Sequence, residues 1–259
     1  MLFYLIVIAF GLIIGSFLNV CIYRMPRNQS LILPSSRCPS CDNPIRAWDN
    51  IPVLSYLILG GRCRFCGQKI SPRYPLVEAL NGLMYAAVIG RYGLGWDSLL
   101  YCFLISALIV ITFIDLDFQI IPDRITLAGI PIGLLAGSFL LPDPFLRATH
   151  LGYKSSLIGA AAGFSFYYLI AYLSIVILKK EGMGGGDIKM MAMVGAFLGW
   201  KTVLLATFIG SLFGSVAGIL MMIIRGKGVS LQIPFGPYLA VGTVISIFFG
   251  QEILAWYLH

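Results

Sequence analysis

The chain has 259 residues, of which 59% are hydrophobic and 11% are charged, and its mean hydropathy is +0.90. Soluble domains carry about 25% charged residues, so this composition excludes a soluble globular protein and indicates a polytopic membrane protein. The formal net charge of +7 does not require a nucleic-acid partner, because basic loops that orient membrane helices account for it. We therefore expect contact with membrane lipid and no nucleic-acid partner.

Eight apolar segments are predicted to cross the membrane as helices, since a span needs about 20 apolar residues. The first has no preceding basic residues and no small-residue cleavage site, so we expect it to remain as a transmembrane helix. Gly11 and Gly15 within it form a small-xxx-small pair, which predicts close helix packing. In chain order the predicted spans cover residues 2–23, 75–90, 97–114, 125–141, 155–178, 188–200, 202–224 and 235–256.

The positions of Lys and Arg predict the orientation of these helices. In the eight-span arrangement, 14 of the 18 basic residues fall on one side, eight of them in the loop 24–74. Cytoplasmic loops of membrane proteins are enriched in Lys and Arg. We therefore expect an all-α polytopic protein whose large loop faces the cytoplasm and whose two termini lie outside.

The loop 24–74 contains two CxxC pairs, Cys38-Pro-Ser-Cys41 and Cys63-Arg-Phe-Cys66, separated by 21 residues. Two such turns can complete a tetrahedral Zn²⁺ site, and the spacing is close to that of zinc ribbons. Four protein ligands leave no open position for a reactive water, so the zinc would be structural and would organise the loop. Disulfides and a redox CxxC are the alternatives. A cytoplasmic loop disfavours the first, and redox motifs usually occur singly.

Two aspartates lie where apolar segments meet polar ones, Asp115 in Ile114-Asp-Leu-Asp117 and Asp187 in Gly184-Gly-Gly-Asp187. Both fall on the predicted cytoplasmic side, and an ionisable residue close to hydrocarbon is a candidate for function. A peptide hydrolase can use one carboxylate to take a proton from water while a second, protonated carboxyl donates to the carbonyl or the leaving amine. Neighbouring carboxyls share a proton and titrate as a pair. We therefore predict Asp115 and Asp187 as a catalytic pair.

Four residues are predicted to support this chemistry. Gly184 and Gly186 permit close approach of a substrate strand or the backbone and tolerate positive φ. Lys189 is interpreted as a partner of Asp187 or of substrate, with a solvated side chain as an equal alternative. Glu78, expected in the first turn of the second span, would bind a cationic group or simply favour the helix dipole.

Two further aspartates are not predicted to be catalytic. Asp117 lies on a different helix face from Asp115, and we expect it to be solvated. Asp123 follows Pro122 and is expected to be the N-cap of the fourth span.

The ordered set of motifs resembles the type IV prepilin peptidases, the bifunctional prepilin leader peptidase/N-methyltransferases. The GxGD string alone would be weak support, but the set runs in order over nearly the whole chain. It comprises Gly15-Ser-Phe-Leu-Asn19-Val20, Arg24-Met-Pro26, the paired CxxC motifs, Asn50-Ile-Pro-Val-Leu-Ser55, Pro72-Arg-Tyr-Pro-Leu-Val-Glu78, Ile114-Asp115 through Ile121-Pro122-Asp123, Gly184–Asp187 with Lys189, and Pro234-Phe-Gly-Pro237.

This resemblance implies a GxGD aspartic membrane protease of the bacterial inner membrane, with Asp115 and Asp187 at the catalytic positions. The implied protein substrates are prepilins or pseudopilins of type IV pilus or type II secretion systems, cleaved after a glycine at the cytoplasmic face. The resemblance further implies that the new N-terminal residue is methylated with S-adenosyl-L-methionine. The cofactor residues are not located, because no glycine-rich dinucleotide fingerprint follows a strand.

The implied domains are a first transmembrane helix, a small cytoplasmic zinc-ribbon-like domain with four cysteines that is linked to methyltransferase activity, and a transmembrane aspartic peptidase domain. They cover residues 1–23, 24–74 and 75–259.

Two other classes of function remain open on the sequence. A carboxylate-dependent membrane transporter with a zinc-binding regulatory loop would use the aspartates as proton or cation sites. Against it, the two halves show no convincing repeat, and the carboxylates lie at one boundary rather than at mid-span. A non-catalytic zinc-dependent scaffold would explain the cysteines but leave the two aspartates without a role.

Overall fold

A computed structural model describes residues 1–179, 183–225 and 234–258. Lys180 and Lys227, both on the basic side of the predicted arrangement, lie outside the described residues. The chain forms two compact units, Met1–Val110 and Ile111–His259, and the boundary between them falls within a helix. Besides the short 3-10 helices Met25–Arg27 and Ala47–Asn50, the elements in the described ranges are α1 Leu2–Arg24, α2 Leu54–Ile58, α3 Arg73–Tyr92, α4 Trp96–Phe118, α5 Asp123–Phe139, β1 Pro142–Asp143, β2 Leu146–His150, α6 Gly152–Leu178, α7 Gly185–Arg225 and α8 Gly236–Leu258.

All eight predicted apolar segments fall on α-helices except at two ends, since α5 ends at Phe139 rather than at residue 141 and α8 begins at Gly236 rather than at residue 235. The sixth and seventh are both parts of α7, which is interrupted at Gly199, where φ is 80° and ψ is 173°. Glycine tolerates this backbone conformation because it has no Cβ. Five helical stretches in the described ranges are long and apolar enough to cross a membrane, whereas the count of eight crossings stays a prediction. The five are Leu2–Arg27, Trp96–Phe118, Gly152–Ile177, Gly185–Ile224 and Gly236–Tyr257.

In the first unit, α1 packs closely along α3. A Cβ on Gly11 would lie 2.7 Å from the Cα of Gly82, and one on Gly15 would lie 2.7 Å from the Cα of Glu78. The short separation lets Asn81 on α3 donate a hydrogen bond of 2.7 Å to the Gly11 carbonyl. Small residues permit such approach between apolar helices, and polar side chains then bond across the interface. The packing role predicted for Gly11 and Gly15 is confirmed.

In the second unit, α7 packs against α5, α6 and α8. Its first half is enclosed, since residues 190–199 are all buried. Gly159 and Gly163 on α6 lie against the α7 backbone at Gly195 and Met191. This packing holds the start of α7, and with it Asp187, in a fixed position.

A short antiparallel hairpin of β1 and β2, which the all-α prediction did not include, connects α5 to α6. Asp143 on β1 pairs with Lys201 at 3.2 Å, and Arg147 on β2 pairs with Glu252 at 3.3 Å. The hairpin therefore contacts α7 just after its break at Gly199 and also contacts α8.

Replacing Gly15 with Ala should destabilise the first unit, because the new Cβ would meet a backbone atom of α3 at 2.7 Å. We expect a loss of about 1–3 kcal/mol in the free energy of unfolding, as for other overpacked sites. Thermal unfolding of the full chain in detergent measures this loss. Gly90→Ala on α3 is the matched control, since the nearest atoms to its Cβ lie 3.8 Å away. Equal Tm values for the two variants would contradict the packing role of Gly15.

Candidate active site and metal centre

The two CxxC turns have the same backbone geometry. In the first, the N–H of Asp42 donates to the carbonyl of Cys38 at 2.9 Å, and in the second Gly67 donates to Cys63 at 3.0 Å. Both donor residues have positive φ, 55° and 70°. An antiparallel bridge closes each turn. The repeated geometry turns the thiols of both pairs towards one point.

The four thiols form one cluster that fits a tetrahedral metal ion. The Sγ atoms of Cys38, Cys41, Cys63 and Cys66 all lie within 4.8 Å of one another, and those of Cys38 and Cys66 are 3.8 Å apart. Tetrahedral Zn²⁺ with Zn–S distances of about 2.3 Å places its sulfur ligands about 3.8 Å apart. None of the four cysteines forms a disulfide. The cluster therefore has the geometry and the composition of a site that could hold zinc.

The loop around the cluster has almost no core of its own. Between residues 24 and 74 only Cys38, Ser55 and Gly61 are buried. Segments that bury so little apolar surface depend on added constraints such as a bound metal. The structure thus agrees with the prediction that burial alone does not organise this loop.

An ion pair attaches the second CxxC turn to the preceding short helix Ala47–Asn50. The guanidinium of Arg64 binds both carboxylate oxygens of Asp49, with Nε at 2.9 Å from each and Nη2 at 2.6 Å from Oδ1. This hydrogen-bonded contact lowers the pKa of Asp49 below its usual value. The pair provides a polar connection between two parts of the loop that share little buried surface.

Glu78 joins this loop to α3. It lies in the second turn of the helix, not in the first turn as predicted, because α3 begins at Arg73. The side chain is buried, and its Oε2 accepts the N–H of Val53 at 2.8 Å. Val53 has a φ of 60°, which a β-branched residue rarely adopts, and it precedes α2. The Glu78 carboxylate therefore holds an unfavourable backbone conformation in place.

Asp115 lies in the last turn of α4, which continues to Phe118 beyond the predicted end of the span. The side chain is buried, and its Oδ2 accepts the N–H of Gly236 at 3.0 Å. Gly236 is the first residue of α8, and a Cβ at this position would lie 2.7 Å from Asp115 Oδ2. Only a residue without a side chain allows the start of α8 to approach the carboxylate this closely.

Asp187 is the third residue of α7 and is also buried. Its Oδ1 has no hydrogen-bond partner among the residues that the structure describes. Asp187 lies near Asp115 and near buried Tyr167. The Tyr167 hydroxyl is hydrogen-bonded to Thr207 at 2.8 Å. The two predicted catalytic residues are thus brought together, and Tyr167 is a neighbour that the sequence did not single out.

The glycines before Asp187 permit close approach but do not use positive φ. A Cβ on Gly186 would lie 2.7 Å from Ile121 Cβ, whereas the nearest atom to one on Gly184 is 3.7 Å away. Neither glycine is among the described residues with positive φ. At Gly186 the group that lies close is the side chain of Ile121, and the approach of a substrate strand to these glycines stays a prediction.

Lys189 and Asp123 form an ion pair, with Nζ at 2.7 and 2.8 Å from the two carboxylate oxygens. The predicted N-cap role of Asp123 is wrong, since Pro122 occupies the cap position and no side chain bonds there. Asp123 is the first helical residue of α5, and its carboxylate is turned to Lys189 instead. Asp117 is exposed, as predicted.

Gly236 is a site residue that the predicted set does not include, although its position within Pro234-Phe-Gly-Pro237 is a signal. Two prolines enclosing a glycine mark a backbone that is restrained on both sides of a position open to close approach. No comparable local signal marks Ile121 or Tyr167, which are apolar or aromatic residues among many others.

Two family models match this chain, one over the part with the clustered cysteines and one over the part with the buried aspartates. The model of the Bacterial Peptidase A24 N-terminal domain matches residues 9–92, which include the loop with the four clustered cysteines. The model of the Type IV leader peptidase family matches residues 102–219, which include both buried aspartates. No solved structure gives a match.

Several similar proteins bear the name prepilin leader peptidase/N-methyltransferase. One from Aeromonas hydrophila is 38% identical over 99% of this chain and 94% of its own length. One from Pseudomonas putida is 36% identical over 95% of this chain and 90% of its own length. One from Neisseria gonorrhoeae is 40% identical over 89% of this chain and 85% of its own length. These matches give no support to a transporter. With such identity over nearly its whole length, the chain belongs to the type IV leader peptidase family.

Proposed function

We propose that this protein removes the leader peptide from type IV prepilins or pseudopilins and then N-methylates the new N-terminal residue. The names of its relatives carry both activities. The observation that supports leader cleavage is that Asp115 and Asp187 are both buried and lie in the part of the chain that matches the peptidase family. We assign catalysis to these two carboxyls.

In the proposed mechanism, one carboxylate accepts a proton from water while the water oxygen attacks the scissile carbonyl carbon. The other carboxyl, protonated, donates its proton to the carbonyl oxygen. The tetrahedral intermediate then collapses, and the C–N bond breaks. The leaving amine takes up the proton that came from water, and a hydroxyl proton of the intermediate returns to the other carboxylate, which leaves the acid product and restores the pair. The N–H of Gly236 orients one oxygen of Asp115, and Asp187 Oδ1 is buried with no hydrogen-bond partner among the described residues.

The proposed orientation places this chemistry at the cytoplasmic face of the bacterial inner membrane. In the proposed eight-span arrangement, 14 of 18 basic residues lie on the side of the loop 24–74 and of both aspartates. The termini then lie outside. A prepilin would present its basic leader on this side, and its hydrophobic segment would enter among the membrane helices.

Methyl transfer is assigned to the domain formed by residues 24–74, and the peptidase to residues 75–259 after a first transmembrane helix over 1–23. The four cysteines would hold one structural Zn²⁺, which supplies a fold and no reactive water, because all its positions are taken by thiolates. S-adenosyl-L-methionine is the proposed methyl donor. Gly184, Gly186 and Lys189 support the peptidase, with Lys189 acting through Asp123.

Replacing either Asp115 or Asp187 with Asn should abolish leader cleavage, with a loss of at least about 10²–10⁴-fold, because each carboxyl carries one proton transfer. Intact mass spectrometry of a co-expressed prepilin measures removal of the leader and addition of one methyl group. Exposed Asp117→Asn is the matched control and should cleave at nearly the rate of the unaltered protein. Cleavage retained by either buried-site variant, in properly inserted protein, would exclude the pair.

Replacing Cys38 or Cys63 with Ser should release zinc and should lower the rate of methyl transfer more than the rate of leader cleavage. The reason is that the metal organises the loop and does not position the aspartates. Elemental analysis should find about one zinc per unaltered chain and much less in the variants. Cys102→Ser, in the apolar α4, is the control and should keep its zinc. A zinc content near zero in freshly purified unaltered protein would contradict the assignment.

Two substitutions of Glu78 distinguish an anchoring role from recognition of a cation. Glu78→Gln keeps an oxygen that can accept the Val53 N–H, whereas Glu78→Ala removes it. If the residue anchors the loop, Gln should largely retain methyl transfer and Ala should lose it. Limited proteolysis of the loop should show the same order. Loss of methyl transfer in Gln with an intact loop would instead indicate that the negative charge binds substrate or cofactor.

A further inference from the structure

Ile121 contacts the backbone beside both buried aspartates. A Cβ on Gly186 would lie 2.7 Å from Ile121 Cβ, and a Cβ on Gly236 would lie 3.4 Å from Ile121 Cδ1. Gly186 immediately precedes Asp187, and Gly236 donates its N–H to Asp115. The half-buried Ile121 side chain therefore occupies the space between the two backbone segments that carry or orient the carboxyls.

The two residues that follow Ile121 restrain the backbone of this segment. Pro122 has a φ of −66°, which its ring fixes. Asp123 is then bound through both oxygens by Lys189, which lies two residues beyond Asp187. The ion pair thus connects the segment that contains Ile121 to the start of α7. The backbone at Ile121 is therefore held close to Gly186.

We propose that Ile121 is a specificity-determining residue, which excludes side chains from the substrate residue whose carbonyl is cleaved. This inference rests on the proposed function. For proton transfer, the scissile carbonyl must lie within about 2.6–3.2 Å of the carboxyl that serves it. The residue that bears this carbonyl then lies beside Gly186 and Gly236, against which the Ile121 side chain is packed.

A glycine at that substrate position needs no further room, whereas a Cβ requires Ile121 to move. One methyl group that does not fit a site of this kind changes kcat/KM by about 10–200-fold. The preference would then arise from one apolar side chain rather than from a hydrogen bond to the substrate. Shortening that side chain should therefore relax the preference without removing catalysis.

The test compares two prepilins that differ only in Gly or Ala immediately before the cleavage site. The measured quantity is the ratio of their kcat/KM values with the unaltered protein and with Ile121→Ala. We expect this ratio to fall at least about fivefold in the variant, through faster cleavage of the Ala substrate. Ile120→Ala is the matched control, because Ile120 is 47% exposed, and it should leave the ratio unchanged.

An unchanged ratio in Ile121→Ala, with cleavage of the Gly substrate retained, would overturn the proposal. If Ile121→Ala is inactive on both substrates, Ile121→Val decides, since it removes only the Cδ1 that reaches Gly236. A partial fall of the ratio in Val supports the proposal, and an unchanged ratio overturns it. Failure of the unaltered protein to cleave the Gly substrate would overturn the proposed function and this inference together.

Discussion

The burial of two carboxyl groups beside apolar helices is the constraint on which the second unit depends. A buried polar group without a hydrogen bond is costly, and a buried charge is more so. Asp115 is accommodated because the start of α8 offers the N–H of Gly236 to it at 3.0 Å. Asp187 lies close enough to interact with Asp115, and neighbouring carboxyls can share a proton. Placing two carboxyls close together in a buried site costs free energy, and the same closeness lets one carboxyl pass a proton while the other accepts one.

Glycine makes this site possible by allowing backbone to approach where side chains could not fit. At Gly236 the approach is to a carboxylate, and at Gly186 it is to Ile121. The same principle operates in the first unit, where Gly15 lies against the backbone of α3 at Glu78. In a membrane, apolar side chains gain little by leaving lipid for one another, so close packing of small residues contributes more.

The loop that carries the four clustered cysteines poses the opposite problem, because it buries almost nothing. Its order depends on a few strong connections, namely the thiol cluster, the Arg64–Asp49 ion pair and the hydrogen bond from Val53 to Glu78. The last of these connects the loop to α3, the helix against which α1 packs. A loop held in this way keeps most of its surface exposed.

The sequence by itself determined the helical membrane character, the positions of the apolar helices, the grouping of the four cysteines and the two buried aspartates. These follow from local properties: apolar length, ligand spacing, and a carboxylate beside hydrocarbon. Only the tertiary structure decided the partners. Asp115 is bonded to a residue 121 positions away, and Lys189 is paired with Asp123, 66 positions away, rather than with nearby Asp187. Such pairs depend on how helices pack, and no local pattern in the chain records which distant residue that packing will bring into contact.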